Sequence, residues 1–365
     1  MCPNGVEWKT LGEVCEMQRG TSLTKANSVE GEYPVISGGR EPAFYCNQYN
    51  RDGETITIAG SGAGAGFVQY WNQKIFVNDS FSMKSKTNLS TRYLYYCLQN
   101  LQEQIYATKK GGGVPHVHIS DVKDFQIPLP PLAIQTRIVE ILDHFTNLTA
   151  NLTAELNLRR KQFEHYREKL LSLDGVEGVE WKKLGEVGKV CMCKRIMKYQ
   201  TTDLGDIPFY KIGTFGNKPD AYISKELFEE YKTKYSFPRK GEILISASGT
   251  IGKTVVYDGQ PAYYQDSNIV WLANDESIVS NPYLAYCYQM SPWKVSGGGT
   301  IARLYNENIA NAEIPIPPLA TQHSIVSILD KFTALIENIE KELALRQKQY
   351  EYYREELLRF ERTTF

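Results

Sequence analysis

The chain is written twice, and that duplication limits what it can fold into more than any other feature. VEWKTLGEV (Val6–Val14) returns as VEWKKLGEV (Val179–Val187), and PLPPLAIQTRIVEILD (Pro128–Asp143) as PIPPLATQHSIVSILD (Pro315–Asp330). RRKQFEHYREKLL (Arg159–Leu171) returns as RQKQYEYYREELL (Arg346–Leu358). The offsets are 173, 187 and 187 residues, so each half sets a variable region between a near-constant opening and a near-constant closing segment, with the second variable region 14 residues longer. A repeat on this scale means one supersecondary plan used twice. At 365 residues there is room for two domains with separate cores.

The closing segments read as helices. After Pro130 and Pro131, tolerated in a first turn, apolar or aromatic residues fall at Ile138, Ile141, Phe145, Leu148, Leu152, Leu156, Phe163, Tyr166 and Leu170. The second copy gives Ile325, Ile328, Phe332, Leu335, Ile339, Leu343, Tyr350, Tyr353 and Leu357. Steps of three and four residues make a coiled-coil seam, with Arg159 and Arg346 as its polar exceptions. Both copies take two consecutive steps of four at the same place, a matching stutter, so the seams are expected to pair with each other. The first helix is expected to stop near Asp174 and Gly175 and the second to run almost to the chain end. A helix of ~38 residues rising ~1.5 Å per residue would span ~57 Å. The expected fold class is α+β: two tandem mixed α/β domains separated by an antiparallel coiled coil of two long helices, as a pseudo-two-fold repeat. Its parts are residues 1–131, the helix 132–174, residues 175–318 and the helix 319–365. The alternative is that each helix packs locally on its own domain or dimerises the chain.

Within the variable regions, GETITIAGSGAGAG (Gly53–Gly66) lines up with GEILISASGTIGKT (Gly241–Thr254), and GEYPVISGG (Gly31–Gly39) with GDIPFYKIG (Gly205–Gly213). The ending Gly252-Lys253-Thr254 resembles an ATP-binding loop. The glycine that should open that loop is Ala247, however, and Val255, Val256 and Tyr257 favour a strand where a helix is required. The first copy lacks the Lys-Thr pair altogether. A glycine-rich turn between strands is the reading both copies share. Strands are expected at Thr55–Ala59, Phe67–Tyr70, Ile243–Ser246 and Val255–Tyr257, and helical runs at Arg92–Ile105 and Pro282–Met290. The 24 tyrosines suit either a recognition surface or half-buried packing.

Two more loops repeat, KKGGGVPHVH (Lys109–His118) and SGGGTIARLY (Ser296–Tyr305). Glycines beside Lys109, Lys110 and Arg303 allow close approach to a phosphate backbone. His116 and His118 share a strand face but have no evident third ligand, so no metal is expected. Asn281-Pro282-Tyr283 falls short of an amino-methyltransferase signature and reads as a helix start. No nucleophile elbow or zinc-protease motif is present. No apolar run approaches the ~18 residues of a membrane span and no signal peptide opens the chain, so the expected location is cytoplasmic. The seven cysteines, with Cys191 and Cys193 the one close pair, read as small apolar residues. The net charge of −1 requires any polyanion-binding bases to be gathered on one face.

Taken together, EWKTLGEV and EWKKLGEV, IPLPPLAIQTRIVEILD and IPIPPLATQHSIVSILD, and the SGTIGK turn resemble the specificity subunit of type I restriction-modification systems over essentially the whole chain. The resemblance implies two target-recognition domains that read a split, asymmetric sequence in double-stranded DNA, with the helices as ruler and docking surface. It implies as partners modification (methyltransferase) subunits, two per chain, and a restriction subunit that translocates and cuts. AdoMet, ATP and Mg are then expected on those subunits, with no cofactor and no catalytic residue on this chain. The expected DNA-contacting residues are Arg19, Ser37, Gly38, Gly39, Arg40, Ser61, Gly62, Lys109, Lys110 and His116 in the first half. In the second they are Lys194, Arg195, Lys211, Thr214, Ser248, Thr250, Lys253 and Arg303. The competing classes are a P-loop NTPase with a coiled-coil stalk and a tandem protein-binding scaffold.

Overall fold

The near-constant opening and closing segments of each copy meet as one antiparallel ribbon. In the computed structural model, Glu7–Thr10 pairs with Gln126–Leu129, placing Trp8 opposite Pro128, and Glu180–Lys183 pairs with Glu313–Ile316, placing Trp181 opposite Pro315. In a two-stranded ribbon both strands are edges, where proline is tolerated at positions whose nitrogen faces away from the partner. The structure describes residues 2, 5–86, 88–111, 113–173, 175–294 and 303–363. It divides into two units, residues 1–155 with 340–365, and residues 156–339.

Both units repeat one sheet plan. The first has a four-stranded sheet in the order Cys15–Arg19, Ser80–Ser85, Glu54–Ala59, Val68–Asn72, and a three-stranded sheet in the order Phe44–Cys46, Tyr33–Ile36, Phe76–Val77. The second has Gly188–Met192, Ile269–Asn274, Ile243–Ser246, Thr254–Val256, and then Tyr222–Ile223, Ile207–Tyr210, Tyr263–Tyr264. In each small sheet one pair is parallel, Val35 beside Phe76 and Phe209 beside Tyr263. The expected helical run at Arg92–Ile105 is broken at Leu101 into Thr91–Asn100 and Gln102–Ala107, and Asn281–Gln289 forms with Pro282 in its first turn. Most of the extra length of the second variable region is the helix Lys225–Lys234, capped by the Ser224 hydroxyl.

The tyrosine question divides. Tyr93, Tyr96, Tyr263, Tyr283 and Tyr288 are core residues, whereas Tyr199 is almost fully exposed. Two of these hydroxyls bond to the repeated frame: Tyr93 donates to the Pro128 carbonyl at 3.2 Å and Tyr283 to the Pro315 carbonyl at 2.9 Å, whereas the buried Tyr288 hydroxyl has no partner among the described residues. Cys193 lies in the second unit's core, and burial pushes its thiol up to about 12, as suits an apolar residue.

The long helices span Leu132–Ser172 and Leu319–Leu357. Their first turns are locked by two fully buried glutamines. Gln135 accepts the Ser90 N–H at 2.9 Å and donates to the Pro130 and Asn88 carbonyls; Gln322 accepts the Ser280 N–H at 2.9 Å and donates to the Pro317 and Ile278 carbonyls. In the first unit Phe145 stacks on Tyr353, with ring centroids 5.3 Å apart. In the second Tyr166 stacks on Phe332 at 5.4 Å, which is the same pair exchanged between copies. Each unit thus holds the start of one long helix against the end of the other. The single-seam expectation needs correction near the helix starts: Ile328 and Leu335 are exposed, and Leu142 and Leu329, outside the expected seam, are fully buried. There the helix is packed on its own unit's core, so the buried stripe runs Ile138–Leu142 and Ile325–Leu329.

Candidate nucleic-acid interface

In both units the glycine-rich turn closes a hairpin. Ser246 donates its N–H to the Lys253 carbonyl at 2.9 Å and its own carbonyl accepts the Gly252 N–H at 2.9 Å; Ala59, Phe67 and Gly66 make the same two bonds in the first copy. Gly62, Gly66, Gly249 and Gly252 all sit at positive φ, which explains the glycines without invoking a phosphate. This register puts Lys253 where the first copy has Phe67. The Lys253 ammonium donates to the Phe215 carbonyl at 2.6 Å, and no helix follows the loop, so these residues do not fit a phosphate-cradling site.

Around each turn other loops converge. In the first unit Gly38 and Gly64 lie so close to facing backbone that a Cβ on Gly38 would overlap the Ser61 carbonyl and one on Gly64 the Gly38 carbonyl. The Asn78 side chain ties these loops together: its amide donates to the Leu23 carbonyl at 3.1 Å and to the Ser37 hydroxyl at 3.0 Å, and accepts the Leu23 N–H at 2.9 Å. The Lys109–His118 loop closes on itself through paired backbone bonds between Lys110 and His116, and joins the turn through the Val117 N–H donated to the Gly60 carbonyl at 3.0 Å and the Gly62 N–H donated to the Pro115 carbonyl at 3.0 Å. An open cleft of about 470 Å³ results, lined by Arg19, Asn78, Asp79, His116 and His118 among others. The imidazoles of His116 and His118 stack at 6.0 Å. Arg40 is exposed and lies over the Phe67 ring at 4.9 Å, and Lys109 over the Tyr106 ring at 4.1 Å. Gly39, Arg40, Gly62 and Lys109 do not line this cleft.

The second unit has a cleft of about 480 Å³ lined by Arg195, Lys198, Lys211, Asp266 and Asn268 among others. Thr214 closes the Lys211 turn, its hydroxyl accepting the Lys211 N–H at 3.1 Å. Ser248 donates to the Asn268 amide oxygen at 2.9 Å, Arg303 to the Ser267 carbonyl at 2.8 Å, and the Thr250 carbonyl accepts the Ser246 hydroxyl. Lys194 lies over the Tyr235 ring at 5.2 Å. Ser296–Ala302 of the expected loop fall outside the described residues.

Most of the expected cations already have a partner. Arg195 pairs with Asp266 at 2.8 Å, Lys211 with Asp220 at 2.9 Å and Lys110 with Asp121 at 2.5 Å. The Lys110 hydrogen bond holds the Asp121 carboxyl below its usual range against a partial burial, helped by the His118 N–H. Only the Lys211–Asp220 pair is exposed on both sides, the kind worth at most ~1 kcal/mol; the carboxylates of Asp121 and Asp266 are largely covered. Sequence reading missed Asn78, Asp79, Gln265 and Asn268. The signal was present as the polar runs Asn78-Asp79-Ser80 and Asp266-Ser267-Asn268 leading into equivalent strands, hidden by the two residues the second copy inserts there. Among the described residues no group of three or more His, Cys, Asp or Glu could hold a metal, and no helix is long and apolar enough to cross a membrane.

Residues 3–158 and 176–345 match the family described as type I restriction modification DNA specificity domain. A putative type I restriction enzyme specificity subunit of Haemophilus influenzae is 47% identical over 374 residues, covering 97% of this chain and 96% of that protein. The EcoR124I/EcoR124II specificity subunit of Escherichia coli is 31% identical over 397 residues, covering 97% and 94%. The crystal structure of a type I restriction-modification S subunit from M. genitalium shares the fold at a TM-score of 0.67 and 19% identity, over 98% of each chain.

Proposed function

We propose how this chain reads DNA from one premise: it belongs to the type I restriction-modification DNA specificity family. It is the non-catalytic DNA-recognition subunit of such a complex. The observation that carries the finer reading is that both units build one backbone frame around a glycine hairpin and furnish it with different side chains. Two copies of one frame with unlike chemistry suit a target in two unlike halves. The cleft loops, from Arg19 to His116 in the first half and from Lys194 to Arg303 in the second, supply phosphate contacts through their bases and base contacts through their amides and carboxylates.

The recognition domains in this reading are residues 1–131 and 175–318, joined by the helices 132–174 and 319–365. The two helices pair as an antiparallel coiled coil, which is supported by the exchanged stacks Phe145–Tyr353 and Tyr166–Phe332. Two modification subunits and a restriction subunit are the protein partners, AdoMet, ATP and Mg belong to them, and the setting is cytoplasmic. The hairpin geometry at Lys253 speaks against the ATP-binding alternative. The test is to assemble the full chain with its methyltransferase subunit and sequence the methylated sites. A split, asymmetric motif with indifferent bases between its halves is expected. Methylation without sequence preference, or DNA affinity independent of salt, would refute the reading.

A further inference from the structure

We propose that Asp79 and Asn268 are the equivalent base-reading side chains of the two halves. The proposal rests on the reading of each cleft as a DNA-recognition surface. Equivalence comes from the backbone. Gly60 donates its N–H to the Asp79 carbonyl at 3.1 Å and accepts the Val117 N–H at 3.0 Å; Ala247 donates to the Asn268 carbonyl at 2.7 Å and accepts the Leu304 N–H at 2.9 Å. One residue along from each, a serine hydroxyl orients the side chain: Ser61 donates to an Asp79 carboxylate oxygen and Ser248 to the Asn268 amide oxygen. The neighbouring segment, bonded through Val117 in the first unit and Leu304 in the second, brings His116 to the first place and Arg303 to the second.

The frame is therefore superposable while the chemistry is not. Each side chain lines its cleft, and each keeps an atom that no hydrogen bond among the described residues engages, Oδ1 of Asp79 and Nδ2 of Asn268. A side chain already fixed by one bond loses little freedom on making a second, which suits discrimination better than a free lysine does. In the second unit the basic candidates lie in ion pairs or on carbonyls, Arg195 on Asp266, Lys211 on Asp220 and Arg303 on the Ser267 carbonyl, and are placed to follow the backbone. A carboxylate only accepts, so Asp79 selects a base edge that presents an exocyclic amine, cytosine N4 or adenine N6. Asn268 can both donate and accept, which matches the N6 and N7 edge of adenine.

The test exchanges the two chemistries in the full-length chain assembled with its methyltransferase subunit, with methylated sites mapped by sequencing. Asp79→Asn is expected to shift base preference at one position of one half-site by roughly ten- to a hundredfold, leaving the other half-site unchanged. Asn268→Asp is expected to do the same in the other half only. Unchanged preference in both variants, or a loss of rate that is uniform over sequences, would overturn the proposal. Failure of both near-isosteric variants to fold would also overturn it, by assigning the pair a structural role. A wild-type complex that methylates without sequence preference would instead remove the reading on which the proposal rests.

Discussion

Replacing Gln322 by leucine tests whether the second long helix is latched to its unit by hydrogen bonds or merely by apolar packing. The wild-type side chain is completely buried and satisfies three backbone groups at 2.9 Å each: the Ser280 N–H, the Ile278 carbonyl and the Pro317 carbonyl. Leucine has a similar volume and fills the space, so no cavity term enters. It orphans one donor and two acceptors, and each buried unsatisfied group costs about 1–3 kcal/mol. Some relaxation toward water is available to the loop carbonyls, so the low end of the range applies and the loss is about 3 kcal/mol. Urea denaturation of the full chain, followed by far-UV circular dichroism, should show the midpoint fall with an unchanged slope. Gln322→Glu is the companion variant: it keeps the acceptor, loses both donations and places a carboxylate where a neutral amide sat, so it should destabilise at least as much at neutral pH. A loss below about 1 kcal/mol for Gln322→Leu would show that packing of Ile325 and Leu329 alone holds the junction.

Gly38→Ala should abolish specific DNA binding while leaving far-UV dichroism intact, because its Cβ meets the Ser61 carbonyl; Gly213→Ala, whose Cβ meets nothing within 4 Å, should bind as wild type. Lys253→Ala should weaken DNA binding by loosening the Phe215 turn and leave nucleotide affinity unchanged, and the opposite pattern would restore the ATP-loop reading. Asp121→Asn frees Lys110 for phosphate and should steepen the slope of log affinity against log salt by about 0.9. Because the native Asp121 carboxyl is held low, its contribution to stability is present above about pH 4 and is lost as pH falls through the lowered native value, so the acid limb of a pH–stability curve should shrink in the variant. The fragment of residues 1–175 should dimerise: the first unit's core is completed by Leu357, Leu358 and Phe360, whose copies in the fragment are Leu170, Leu171 and Leu173. Sedimentation as a folded monomer at high concentration would contradict the exchange.

Periodicity and repetition made the frame legible. The long helices, the strands Glu54–Ala59 and Ile243–Ser246, and the identity of plan between halves follow from apolar spacing and from segments that recur at fixed offsets. The site was legible only where glycine marks backbone geometry, as at Gly62 and Gly252, because a positive φ is a local demand that a local residue must answer. Asp79 and Asn268 escaped notice for the opposite reason. Their role depends on a cross-strand bond to Gly60 and Ala247, residues 19 and 21 positions away, and nothing in the local sequence carries that information. The buried stripe at Leu142 and Leu329 is not legible because steps of three and four residues define one seam, and only the packed structure shows where the face turns onto the core.

The ribbons Glu7–Thr10 with Gln126–Leu129 and Glu180–Lys183 with Glu313–Ile316 tie off each variable region at its two ends. A region closed at its base can lengthen at modest entropic cost, since doubling a loop adds only about 0.6 kcal/mol. The second unit uses this freedom, adding the helix Lys225–Lys234 between two strands without altering the order of either sheet. The Tyr93 and Tyr283 hydroxyls, and the Gln135 and Gln322 amides, all bond to the carbonyls of the proline-rich closing segment, so the long helix leaves each domain from the same anchored turn whatever the intervening loops contain. On the proposed reading, recognition and assembly rest on different residues, the loop side chains of the clefts and the anchored turn of the closing segment. It follows that substitutions at Asp79 or Asn268 should change which DNA is methylated, whereas substitutions at Gln135 or Gln322 should change how much folded complex exists.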